Sequence, residues 1–359
     1  MPPHARKLYL FASCLTLALV CADARVRTQD PTPRRVTATP ESATNLNPSL
    51  GGDGRHMIFE STADLAHASA APQFLAYAAD VSDDSTSFAL LAASRAPAAA
   101  ISQDGSLISF SSAEDLTGEN ADRNSEIFLS TRGRLTQLTH TTPADPSSRT
   151  RDGNFRPSIS DDGRLVAFSS NRNLTGANAD GSFEIFLYDI DARRFAQITN
   201  NDSAPNAHDA KLSGDGSRVA FVLDKGASAG PPSARLDLVV CQIASKSCST
   251  VAENVAGLSL SPARAASDDG SRVVFSAQTA TNTAQVFLYD GRNGGLIRQL
   301  TKLGSRATDV PLNPTISGDG SRVAFATRRS VVGGNSDASV ELYLFDIPSN
   351  QITRVTDAP

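Results

Sequence analysis

The stretch Pro157-Ser-Ile-Ser-Asp-Asp-Gly163-Arg-Leu-Val-Ala-Phe168, with Glu184-Ile-Phe-Leu-Tyr-Asp189 and Gln197-Ile-Thr199 after it, decides the fold. Asp162-Gly163 separates two β-prone runs. It is a hairpin signal, because glycine tolerates positive φ and an aspartate side chain can bond the turn's own backbone. The run before the turn reads as one strand, residues 165–168 as a second, 185–188 as a third and 195–199 as a fourth. The unit is a four-stranded antiparallel meander.

Working outward, the same unit recurs. Asp-Gly stands at 53, 104, 162, 215, 269 and 319, about fifty residues apart, and a phenylalanine follows each glycine at the fifth position: Phe59, Phe110, Phe168, Phe221, Phe275 and Phe325. The third strand returns as Glu126-Ile-Phe-Leu129, Leu238-Val-Val-Cys241, Val286-Phe-Leu-Tyr289 and Glu341-Leu-Tyr-Leu-Phe-Asp346, and the first copy is the most eroded. Runs such as Leu165-Val-Ala-Phe168 are apolar on both faces, as in a strand packed between two sheets. A lone meander cannot bury both faces, and radial stacking into a ring protects its edges. The expected fold is all-β, a six-bladed β-propeller of four-stranded blades over residues 47–359. Its rivals are a solenoid and a seven-bladed ring. In the latter, Arg35-Val-Thr37 would clasp the last blade at the place that Arg354-Val-Thr356 also claims.

Composition agrees with many short strands: 359 residues carry 16 Phe, 24 Gly and 19 Pro, with no Trp. The net charge of -5 comes without a Lys/Arg cluster, which argues against nucleic acid as a partner. His4, Arg6 and Lys7 precede an apolar run ending at Cys21, and Ala22-Asp23-Ala24 follows as a cleavage pattern, so residues 1–24 read as an export signal and 25–46 as an extension. The apolar run is shorter than the roughly 20 residues that span a bilayer. The expected location is the periplasm or the exterior, with a lipid-attached cysteine as the alternative and no membrane span after cleavage. Only Cys241 and Cys248 then remain. An even count in an oxidising compartment predicts that they join across a hairpin, against the alternative of two buried thiols.

The Ser160, Asp162, Gly163 turn, the Val-Ala-Phe strand and the Glu-Ile-Phe-Leu-Tyr-Asp strand resemble the TolB-like propeller repeat, which is also found in the propellers of prolyl-oligopeptidase-type peptidases. The resemblance covers nearly all of residues 47–356. It implies the propeller and not TolB's own function, since TolB has an α/β domain ahead of its propeller and residues 25–45 are too short for one.

Within a blade, the Asp-Gly turns share a face with the short links between third and fourth strands. The opposite face receives the long connections at 112–125, 171–183, 224–234, 327–339, 139–156 and 200–209, and long loops inside a compact domain are where recognition is expected. Two of these loops repeat a motif, Leu116-Thr-Gly-Glu-Asn120-Ala-Asp122 and Leu174-Thr-Gly-Ala-Asn178-Ala-Asp180, with an echo at Asn335 and Asp337. The expected ligand-binding residues are Asn120, Asp122, His140, Asn178, Asp180 and His208. The motif's oxygens suit Ca²⁺ in type, but the spacing is not that of an EF-hand, and Asn and Asp also simply cap turns. Ser259 lacks the closing glycine of a nucleophile elbow, there is no phosphate loop, and the histidines lack paired zinc spacing. The expectation is a non-enzymatic, monomeric binding module without a cofactor, whose partner is a protein, peptide or glycan. The alternative is a hydrolase or lyase with a site on the long-loop face.

Overall fold

Every Asp-Gly turn closes a hairpin, and in five of the six the turn is built the same way. In blade 3 the Ser160 hydroxyl donates to Asp162 Oδ1 (2.6 Å), Asp162 accepts the Arg164 N–H (3.0 Å), and Ser160 Oγ accepts the Leu165 N–H (3.0 Å). Gly163 takes φ +72°, a conformation that favours glycine. Gly51 replaces the serine in the first copy, and Asp53 still accepts the N–H groups of Arg55 and His56.

The computed structural model describes residues 34–40, 42–67, 74–82, 85–93, 96, 98–143, 152–201, 205–227, 234–304 and 312–357. The expected export signal and residues 25–33 lie outside the described residues. Residues 35–359 form one compact unit, and its described residues build six sheets.

Blade 1 is β1 (Asn45–Leu50), β2 (His56–Ser61), β3 (Leu75–Val81) and β4 (Thr86–Ala92). Blade 2 is β5 (Ala100–Ile101), β6 (Leu107–Ser112), β7 (Glu126–Thr131) and β8 (Arg134–Gln137). Blade 3 is β9 (Asn154–Ile159), β10 (Leu165–Ser170), β11 (Glu184–Asp189) and β12 (Arg194–Gln197). Blade 4 is β13 (Asn206–Leu212), β14 (Arg218–Ala227), β15 (Ala234–Gln242) and β16 (Ser247–Val255).

Blade 5 keeps β17 (Arg272–Gln278), β18 (Ala284–Asp290) and β19 (Leu296–Gln299). Its first strand is reduced to two bridges, Ser259 to Ser276 and Ala266 to Val273, because residues 261–264 bow away between them. Blade 6 is β20 (Thr315–Ile316), β21 (Arg322–Thr327), β22 (Glu341–Asp346) and β23 (Gln351–Arg354). The propeller is thus six-bladed, and residues 35–37 form no strand.

The repeated phenylalanine lies in the packing between blades. Phe110, Phe168 and Phe275 stack on Phe128, Phe186 and Phe287 of their own third strands at 5.7, 6.1 and 5.5 Å between centroids, and Phe325 stacks on Tyr343 at 5.7 Å. Val166, Phe168 and Phe186 of blade 3 meet Ile127 and Leu129 of blade 2, while Ala167, Ile185 and Leu187 meet Val219, Phe221 and Val239 of blade 4. Both faces of β10 are therefore dry. Cys241 and Cys248 stand opposite each other on β15 and β16 and are disulfide-bonded, with Cα atoms 3.9 Å apart.

Three connections are shorter than the sequence reading, and β9 takes up residues 154–156 of the 139–156 connection. The 200–209 connection ends at residue 205, since Asn206–Leu212 is a strand. The 224–234 connection is likewise shortened by β14, which runs on to Ala227. In the last two cases strand pairing extends through polar residues that read as loop.

Candidate functional site

The first strands of blades 1 to 4 contact one another in succession, as the innermost strands of a propeller do around its central channel. In three of them, and two residues ahead of β20 in blade 6, one non-glycine residue takes left-handed backbone: Asn47 (φ 51°), Arg156 (φ 51°), Asp209 (φ 58°) and Asn313 (φ 39°). Each stands six residues before its turn aspartate. In blades 1, 3 and 4 the pairing slips at that point, and such a bulge re-aims side chains and is often found beside functional sites.

The slip in blades 3 and 4 brings charges together. Arg156 donates to Asp209 Oδ1, and His208 Nδ1 lies 3.0 Å from Asp209 Oδ2. Burial by itself would raise the Asp209 carboxyl, but the His208 ring and the Arg156 guanidinium hold it well below the usual carboxylate range. Two residues on, Lys211 is 4% exposed, and its Nζ donates to the Pro262 carbonyl at 2.7 Å. Pro262 belongs to the bowed segment of blade 5. Burial pulls the Lys211 ammonium down to about 8, partly offset by Asp209.

Toward the Asp-Gly face, Arg264 donates to Asp161 (2.7 Å) and Asp268 (2.5 Å) from the blades on either side of Gly214. A Cβ at Gly214 would collide with Asp161 and Arg264, so a glycine there leaves the pair room to cross blade 4.

The residues expected from the sequence divide into two groups. Asn120 is buried and held by its own loop: its amide donates to the carbonyls of Glu114 (3.3 Å) and Asn124 (3.0 Å). Asn178 does the same with Arg172 (3.3 Å) and Ser182 (2.9 Å), and Asn335 with Arg328 (3.4 Å) and Ser339 (3.0 Å). Asp180 accepts the N–H and hydroxyl of Ser182, as Asp337 does from Ser339. Among the described residues, no group of three or more His, Cys, Asp or Glu side chains is placed to hold a metal ion.

Asp122 and Asp180 are exposed on these stapled loops, and exposed His140 Nε2 lies 3.1 Å from exposed Glu119. His208 stands apart from them on β13, at the channel wall, rather than in a loop. Its register places it there, and the polar string Asn206-Ala-His-Asp209 concealed the strand.

The motif glutamates have a structural duty that spacing did not reveal. Glu184 is buried and accepts from Ser182 Oγ (2.9 Å), Asn201 N (2.5 Å) and Asn201 Nδ2 (3.0 Å), anchoring the connection to the next blade. Glu126 grips Thr141 and Asn154 in the same way, and Gln285 holds Leu303 in blade 5.

The sequence reading missed Arg156, Asp209 and Lys211. Their shared signal was position, four to six residues ahead of the turn aspartate.

No protein-family model matches the chain, and no curated protein matches it. Among solved structures it is similar to TolB from Acinetobacter baumannii, at 19% identity and a TM-score of 0.51, over 84% of this chain and 63% of that one. It is similar to the β-propeller domain of the Trilobed protease from Pyrococcus furiosus, a domain reported to have an open velcro topology, at 13% identity, TM-score 0.54 and 88% and 86% coverage. It is also similar to oligogalacturonate lyase from Vibrio parahaemolyticus at 12% identity, TM-score 0.55 and 85% and 78% coverage. At such identities the likeness establishes a TolB-like propeller fold and nothing finer, and the chain spans only 63% of the TolB length.

Proposed function

We propose that this protein is an exported, non-enzymatic binding module of the bacterial envelope, which docks a protein or peptide on its long-loop face over the channel mouth. The observation that carries this reading is the division of labour in the repeated loops. Asn120, Asn178 and Asn335 fix the backbone, while Glu119, Asp122, His140 and Asp180 stay exposed on it. A preorganised platform with exposed charged side chains loses little entropy on binding, which suits recognition.

The test is capture from a periplasmic extract by wild type, by Glu119→Lys/Asp122→Lys/His140→Ala, and by Lys246→Glu on the far hairpin. The loop variant is expected to lose a captured partner that the hairpin variant retains, with folding unchanged because exposed substitutions usually cost less than about 0.5 kcal/mol. Equal capture by all three would refute the reading.

A second reading, a lyase, draws on the fold of the Vibrio lyase and on a channel lysine pulled toward neutrality, where a general base works best. Incubation with oligogalacturonate, with and without added divalent cation, separates the two: the binding reading expects no unsaturated product, and its appearance would establish the lyase.

A further inference from the structure

We propose that the channel holds a carboxylate socket built on Lys211, which takes the C-terminal carboxylate of an extended peptide. This rests on the binding reading and names the chemistry of part of the ligand.

Lys211 carries three donor protons, and among the described residues its hydrogen-bond acceptor is the Pro262 carbonyl alone. The neighbouring carboxylate is engaged elsewhere, since Asp209 is bound by Arg156 and His208. Arg156, Asp209 and Lys211 together leave one net positive charge on this wall of the channel. A buried ammonium with unmet donors is costly, and an apolar replacement of similar volume would be the cheaper way to fill the space. Keeping the charge therefore points to an anion that completes it.

Space for one is present. Lys211 borders a cavity of about 60 Å³ lined also by Ser158, Ile159, Asp161, Pro262 and Arg264, room for a carboxylate group or a few waters. Asp161 shares Arg264 with Asp268, so that triad carries one net negative charge and the positive charge facing the cavity is the Lys211 ammonium. Past Ser49, Pro262 and Ala263 the cavity adjoins a hollow of about 270 Å³ walled by Ala99, Leu312, Phe325 and Leu342.

That sequence of environments, a cationic end followed by an apolar one, matches a chain terminus: carboxylate first, last side chain behind it. The edge strands around the hollow offer backbone groups to an extended chain, as in other modes of peptide capture. Asn47, Ser261, Asn313 and Thr315 also line the hollow, so a sugar acid is the competing occupant that the test must separate from a peptide terminus.

The test is calorimetric titration of the full chain at pH 7 and low salt. The probes are a tetrapeptide of three alanines and a C-terminal leucine, its C-terminal amide, and sodium glucuronate. The free acid is expected to bind at least about ten-fold more tightly than the amide or glucuronate, the loss of one charge-assisted contact. Lys211→Met should weaken the acid by a similar factor and leave the amide unchanged.

Should Lys211→Met not fold, Arg156→Gln, altered at a half-exposed site, is expected to weaken the acid several-fold and spare the amide. Equal binding of acid and amide, preference for glucuronate, or absence of acid binding to wild type would overturn the socket and mean that the cavity holds water. None of these outcomes touches the loop variants, so the socket and the docking face stand or fall separately.

Discussion

Single carboxyl groups in this protein are tuned in opposite directions by what surrounds them. The turn aspartate Asp319 accepts the Ser317 hydroxyl and the Ser321 N–H and hydroxyl, and these bonds to its charged form bring it down to about 2. Glu184 receives hydrogen bonds too, yet burial dominates and pushes its carboxyl up. By linkage, an acid with a raised folded value contributes stability below its unfolded value and loses it as pH rises through the folded one. Glu184→Gln should therefore remove one downward contribution to unfolding free energy between about pH 4 and 7. Denaturant titrations at both pH values should show the variant gaining on wild type as pH rises. A constant difference would mean that Glu184 is ionised throughout. Gln285, in the corresponding place of blade 5, shows that an amide can hold the linker.

At the scale of the element, blade 4 differs from its neighbours. β15 and β16 each run nine residues, where β11 has six and β12 four, and the disulfide ties their ends across a sequence separation of seven. A loop that short removes little unfolded-chain entropy, about 2 kcal/mol. Replacing both Cys241 and Cys248 by serine is expected to lower the melting temperature by a few degrees and leave the circular dichroism of the ring intact. Loss of the folded state would instead make the hairpin a nucleus for the ring. Phe168 illustrates the other kind of element energy, since it is fully buried and fills the space between blades 2 and 3, where truncation leaves a cavity.

Over the whole molecule the ring is uneven. Inter-blade backbone bonds run Asp53 N to Gln103 O, Gln103 N to Asp161 O, Asp161 N to Gly214 O, Asp215 N to Asp268 O and Asp268 N to Gly318 O, all 2.7–3.0 Å. Among the described residues none joins blade 6 to blade 1. No strand is shared across that junction either, because each sheet consists of consecutive strands. One position on the third strand reports the consequence: Ala76, Ile127, Ile185, Leu238 and Val286 are buried in blades 1 to 5, whereas Leu342 in blade 6 is 39% exposed. A cleft of about 750 Å³ lies there, lined by Met57, Ile316, Ala324 and Leu344 among others. Local opening follows weak packing. Native-state hydrogen exchange should find the amides of β1 and β20 to β23 exchanging well before those of β9 to β15, and uniform protection around the ring would contradict an open seam.

The sequence by itself determined the blade and the number of blades, because both depend on short-range order, whereas the bridge between Cys241 and Cys248 was left open between two outcomes until the structure showed it. Asp162-Gly163 specifies a turn through its own hydrogen bonds, and Phe168, five residues after its turn glycine in an unbroken apolar run, marks the packed strand. Tertiary structure alone decided which polar residues do what. Asn120 and Asn178 staple loops because their amides close on carbonyls of the same loop, a geometry the motif does not distinguish from a ligand cradle. His208, Asp209 and Lys211 reach the channel because a bulge re-aims them, and Lys211 meets Pro262 across 51 residues. Such encounters depend on how blades stack around an axis, and residue spacing along the chain carries no record of that rotation.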